Sequence, residues 1–173
     1  MEKKILALLL VIICTAPACK WLSNPKVNSE DKVVRLLNVA LAEEWLAAYQ
    51  YWIGAQIIKG ALGQQAEAEF IAHYQEELKH AQQLADRIIQ LDETPVLNPN
   101  EWLKLSPKGY DHPSDFSAKA LIGQNIDSEK RAIKRYEEIL ALVHGKDHAT
   151  YDMVSGILRD EMEHEQDLER LVE

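Results

Sequence analysis

The sequence predicts an all-α fold, an antiparallel four-helix bundle built from two helical hairpins joined by a long crossover. Three observations carry that expectation. The 173 residues include only seven glycines and six prolines and are rich in Ala, Leu, Glu, Lys, Gln and Ile, a composition that favours helix. Four long segments repeat apolar residues at helical spacing. The links between those segments run short, long, short.

Taken in chain order, the first residues differ from the rest. Glu2-Lys3-Lys4 precedes an apolar run from Ile5 to Ile13, and Cys14-Thr-Ala-Pro-Ala-Cys19 follows. A basic start, a short apolar stretch and small residues describe a secretory signal peptide over 1–18. The run is too short to span a bilayer. Ala16 and Ala18 suit the −3 and −1 positions of a cleavage site, and Cys19 would then lead the mature chain as a lipid-anchored residue. Ala16 stands where a lipobox usually has a larger aliphatic residue. The expected location is therefore exported, periplasmic or membrane-anchored, with a cytoplasmic protein as the alternative if the start is misassigned. Cleavage would leave one cysteine, so no disulfide framework is expected.

A polar tether over 19–28 leads to the bundle over 29–173. The first helix is expected from about Ser29 to Lys59, stopping at Gly60, and the second from about Gln64 to Asp92. Thr94 to Pro113 carries four prolines and Gly109, which forbids a long helix there. The third helix is expected from Ser114 or Asp115 to Gly145, and the fourth from Asp147 to Val172. Short links make each pair an antiparallel hairpin, and the pairs read as a degenerate internal duplication. The formal charge of −9 excludes nucleic acid as the main partner, because phosphate binding needs clustered Lys and Arg.

The stripes carry the chemistry. They read Leu37, Leu41, Glu44, Ala48, Tyr51, Ala55; then Phe70, His73, Glu77, His80, Leu84, Ile88, Leu91. The second hairpin gives Ile122, Ile126, Glu129, Ile133, Tyr136, Leu140, Val143; then Val154, Ile157, Glu161, His164, Leu168, Leu171. One glutamate interrupts every stripe near mid-helix, and two of them are followed by histidine three residues on. Chance would supply fewer than one such E-x-x-H in a chain with six histidines. Glu44 precedes Glu77 by 33 residues and Glu129 precedes Glu161 by 32, so short-turned hairpins bring the partners to similar height.

Four ionised carboxylates in an apolar core repel and lose hydration, at a cost of about several kcal/mol each. Two divalent cations neutralise them. Oxygen and imidazole donors suit iron or manganese. The candidate metal ligands are thus Glu44, Glu77, His80, Glu129, Glu161 and His164. Taken singly, Glu44 or Glu129 is more simply a solvated helix face, and His80 or His164 a hydrogen-bonded core or surface histidine. Tyr51 and Tyr136 each fall seven residues after a lone glutamate. They are candidates for a catalytic redox role or for core tyrosines donating to a carboxylate, and the sequence leaves both open. His73, one turn before Glu77, could stand behind the ligands or on a path by which metal enters, but reads more simply as surface or packing. Glu76 and Asp160 could orient histidines but read first as solvated charge. Trp45, Trp52 and Trp102 read as core or interface aromatics.

The stretch Glu44-Trp-Leu-Ala-Ala-Tyr-Gln-Tyr51, with Glu77-Leu-Lys-His80 and Leu158-Arg-Asp-Glu161-Met-Glu-His164, resembles bacterioferritin and its ferritin-like relatives over residues 35 to 172. The resemblance implies two iron ions per subunit (manganese as the alternative) at those six positions. It makes Glu77 and Glu129, or their symmetry equivalents, candidates for bridging, with the assignment open. It also implies a homo-oligomeric ferroxidase that oxidises Fe(II) with O2 or H2O2 for iron storage or detoxification. Leu78 replaces the methionine through which bacterioferritins bind haem, which disfavours haem. No short fifth helix of the large ferritin shells follows the fourth, so the chain resembles the smaller Dps-like cages. The cysteine pair often seen in cages with a bacterioferritin-type site is missing, as is the C-x-x-C module of rubrerythrins. Two rivals stand beside this reading: a di-iron or di-manganese oxidase or peroxidase without storage, and a metal-free helical lipoprotein that binds partners.

Overall fold

The computed structural model describes residues 29–173. The proposed signal peptide and the tether, with Cys19 at its start, lie outside the described residues. Five helices follow in order: α1 Ser29–Ile57, α2 Gly63–Gln90, α3 Pro99–Leu105, α4 Ala118–Val143 and α5 His148–Val172. The pairs α1/α2 and α4/α5 form the two expected hairpins, and α1 also packs on α4 and α2 on α5. Among the described residues no helix is long and apolar enough to cross a membrane.

The apolar stripes meet in two clusters. One joins Leu37, Leu41, Leu84, Ile88, Ile139 and Ile157 from all four long helices. The other joins Tyr51, Phe70, Leu121, Ile122 and Leu168 at the opposite end. Each fully buried Leu, Ile or Phe contributes roughly 1.5–3 kcal/mol. Where α1 and α2 converge, Gly54 lets the helices pack closely, because a Cβ there would stand 3.1 Å from the Phe70 ring and push it back by a few tenths of an ångström. Arg87 near the end of α2 binds both carboxylate oxygens of Asp147 at 2.8 and 2.9 Å. Asp147 also caps α5 by accepting from the Thr150 amide at 3.0 Å, so one residue starts a helix and joins two.

The crossover departs from expectation twice. It contains α3, a seven-residue helix begun by Asn98, whose side chain accepts from the Asn100 amide at 3.0 Å, with Pro99 preset for the first turn. And α4 begins at Ala118, later than Ser114 or Asp115. The preceding residues are held extended, since Lys59 donates its amide to the Phe116 carbonyl at 2.8 Å and accepts from the Ala118 amide at 2.9 Å. Ser117 then caps α4. The three tryptophans are not in the core. Trp45 stacks on Trp102 of α3 at 5.4 Å, and Trp45 and Trp52 remain exposed on the outer side of α1.

Candidate metal centre

Between the two apolar clusters lies a polar layer. Glu44, Glu77, His80, Glu129, Glu161 and His164 are all buried, none more than 3% exposed. They come from mid-helix on α1, α2, α4 and α5. Because Glu77/His80 and Glu161/His164 are spaced i, i+3, each pair shares a face of its helix. The structure brings all six together, in two overlapping groups: Glu44, Glu77, His80 and Glu161; and Glu77, Glu129, Glu161 and His164. Within each group the donor atoms lie within 4.8 Å of one another. The pair common to both is Glu77 and Glu161, one from each E-x-x-H. Glu129, which the resemblance put beside Glu77 as a bridging candidate, joins only the His164 group.

The imidazoles face inward through Nδ1. His80 Nδ1 stands 3.0 Å from Glu161, 3.2 Å from Glu77 and 3.5 Å from Glu44. His164 Nδ1 stands 3.4 Å from Glu77 and 3.7 Å from Glu161. Their outer nitrogens meet acids of the neighbouring helix, His80 Nε2 with Asp160 at 3.2 Å and His164 Nε2 with Glu76 at 2.8 Å. Asp160 and Glu76 therefore orient the two histidines, a role the sequence placed second to solvated charge. Each crosses between α2 and α5, which depends on how those helices are rotated. Tyr51 donates to Glu129, and Tyr136 donates to Glu44. Both phenols are pushed well above their ordinary range, by burial first and then by the nearby carboxylates, so they remain protonated donors.

Proton affinities express the crowding. Burial, then Glu44 and Glu129, push Glu77 up to about 8. Burial and Glu161 raise Glu129 well above the carboxylate range, and burial with Glu77 and Glu44 raises Glu161. Burial alone would raise Glu44, yet His80 beside it brings it lower. For the histidines burial acts downward but the carboxylates win, carrying His164 up to about 12 and His80 strongly upward. Even so, Glu44 Oε2, Glu77 Oε1, Glu161 Oε1 and His164 Nδ1 are buried without a hydrogen bond. Buried polar atoms are rarely left so. Inward-facing oxygen and imidazole donors with unmet bonding capacity fit two divalent cations.

Two further features flank the layer. His73 is buried and stacks on His164 with ring centroids 4.0 Å apart. Burial, then His164, bring it down to about 3, so it stays neutral. On the opposite side, a cavity of about 30 Å³ reaches Glu44 and Glu129 beneath the crossover, lined also by Gln50, Ser106, Tyr110 and Arg131. Gln50 there donates to buried Asn125 at 2.7 Å.

A four-helix bundle with buried carboxylates and E-x-x-H pairs at one level defines a carboxylate-rich metal-binding protein. The chain belongs to the ferritin-like domain family, whose pattern it matches over residues 34–173. It is similar to a bacterioferritin-related protein of Bacteroides fragilis, described as a dodecameric thioferritin, at 46% identity and a TM-score of 0.81 over 83% of this chain and 85% of that one. A DNA protection during starvation protein of Pyrococcus furiosus is 28% identical over 82% of this chain and 77% of its own length. The fold is shared with a Dps protein of Vibrio cholerae, described as a member of a broad superfamily of ferritin-like diiron-carboxylate proteins (19% identity, TM-score 0.77, 87% of this chain and all of that one).

Proposed function

We propose that the protein is a ferroxidase, binding two Fe(II) per subunit and oxidising them with O2 or H2O2 within a homo-oligomer that stores or detoxifies iron. The observation that carries this reading is the sharing of Glu77 and Glu161 by two overlapping donor groups, each completed by one histidine and one further glutamate. Such a layout holds two ions side by side. Ferrous ions so held supply the electrons. The residues of the chain do the rest. Glu77 and Glu161 would lie between the ions, Glu44 and His80 on one side, Glu129 and His164 on the other. Tyr136 and Tyr51 fix the outer carboxylates, and Asp160 and Glu76 fix the histidine rings. The cavity beneath the crossover is large enough for a water-sized molecule and reaches the carboxylates on the side away from the histidines, which suits it to admit the oxidant. The oligomer is proposed from the relative described as dodecameric, and export from the leader over 1–18.

The test is oxidation of Fe(II) by the metal-stripped chain in air-saturated buffer. Wild type should oxidise it at least about tenfold faster than a Glu77→Gln/Glu161→Gln variant, a loss of about 1.4 kcal/mol or more in barrier lowering. Equal rates would refute the reading.

A further inference from the structure

His73 lies one turn before Glu77 on α2 and belongs to neither donor group above. Its ring is wedged between His164, stacked with planes 22° apart, and the Tyr51 ring, edge-on at 5.2 Å. That packing fixes the direction of both nitrogens. Nδ1 is buried with no partner. Nε2 points toward the solvent edge between α2 and α5, where Glu69 Oε2 and Asp167 Oδ2 each stand 3.9 Å away. Asp167 Oδ1 is bound to Arg170 at 2.8 Å, leaving Oδ2 for His73.

The other two histidines show what an acid-oriented imidazole looks like in this bundle. His80 and His164 hydrogen-bond their outer acids at 3.2 and 2.8 Å. His73 does not. Its two acids stop well beyond hydrogen-bond range, on either side of a gap, and the three donor atoms lie within 4.8 Å of one another. One cation with bonds of about 2.0–2.2 Å spans donors up to about 4.4 Å apart, so the two 3.9 Å separations from Nε2 match shared ligation better than direct pairing. Exposure fits as well: the His73 side chain is 3% exposed, while Glu69 and Asp167 are 40% and 29% exposed. A fixed imidazole at the base and two acids at the rim leave room for water to complete the coordination.

We propose that Glu69, His73 and Asp167 bind a third divalent cation, a first-row transition ion, at the solvent edge one turn from His164. The donors are one imidazole and two carboxylates, without sulfur, which selects ions such as Fe(II), Mn(II), Co(II) or Zn(II) over soft monovalent copper. Lying against His164, the site is a staging point for ions entering or leaving the buried pair, a role that rests on the function proposed above.

Co(II), which is stable in air, serves as the probe, with bound equivalents counted by equilibrium dialysis of the metal-stripped full chain. Wild type should bind about three per subunit and Glu69→Gln/Asp167→Asn about two, as loss of one set of ligands requires. Glu77→Gln/Glu161→Gln should keep about one. The substituted rim residues are partly exposed, so folding survives; Glu163→Gln, an exposed acid on α5, controls for lost charge and should leave the count unchanged. A wild-type count of two that Glu69→Gln/Asp167→Asn leaves at two overturns the third site while the buried pair stands. A count of three that the same variant leaves at three overturns it too. A wild-type count of one, lost in Glu69→Gln/Asp167→Asn, supports the third site and sinks the buried pair instead.

Discussion

Replacing Glu77 by glutamine separates the electrostatic demand of the buried layer from its packing. Glu77 is 1% exposed, and without metal its carboxyl is held at about 8 against an ordinary 4.5, by burial first and then by Glu44 and Glu129. A group raised in the folded state takes up a proton on folding. Its contribution is therefore fully present below pH 4.5 and lost as pH rises through about 8. At pH 7 about two-thirds of the loss has accrued, on the order of 3 kcal/mol. Glutamine keeps the size, carries no charge and offers a donor to the surrounding carboxylates. Metal-free Glu77→Gln should thus be more stable than metal-free wild type at pH 7, by on the order of 1–3 kcal/mol, with the gap closing toward pH 4.5. With Co(II) in excess the order should reverse, because the amide cannot serve as a shared carboxylate and binding energy adds to stability. Denaturant melts at matched protein concentration, with and without metal, at pH 5 and 7, read this directly. A metal-free variant no more stable than wild type at pH 7 would refute the claim that repulsion among these acids governs the layer.

Two further expectations follow from the same geometry. Metal binding at pH 7 should release about two or more protons per subunit and weaken steeply as pH falls, since the inward nitrogens of His80 and His164 and the carboxyl of Glu77 must give up protons to ligate; calorimetry in buffers of different ionisation enthalpy measures the number, and no release would remove the imidazoles from the ligand set. Tyr51→Phe and Tyr136→Phe should each cost about 1–2 kcal/mol in denaturant melts, because Glu129 or Glu44 loses a buried donor, and melts that match wild type would show that neither phenol holds its carboxylate.

The four long helices and the six-residue layer were legible in the sequence for one reason. A glutamate on an apolar stripe has to go inside, and hairpins of nearly equal length put such residues at one height. What escaped depends on neighbours. The seven residues of α3 offer too little periodicity to stand out among prolines, although Asn98-Pro99 was a visible start. The late beginning of α4 comes from the pairing of Lys59 with Phe116 and Ala118, which no local pattern encodes. Glu76 and Asp160 look solvated on their own helices, and only the facing rotation of α2 and α5 sets them against His164 and His80. Glu69 stands one turn from His73 on the same helix, but Asp167 comes to it only across the helix pair. Trp45 and Trp52 sit off the core stripe, and their outward position was open to that test.

The tyrosines are exchanged between hairpins: Tyr51 of the first serves Glu129 of the second, and Tyr136 of the second serves Glu44 of the first. The donor groups trade in the same way, each taking three ligands from one hairpin and one from the other. Neither half of the chain owns a finished nest. A lone hairpin would offer an incomplete set of donors and a carboxylate with no phenol to steady it, and could complete both only by meeting another hairpin of the same design. The crossover makes that meeting intramolecular, so the metal layer reports whether the two halves have closed on each other, and an ion arriving before closure would find half a cage.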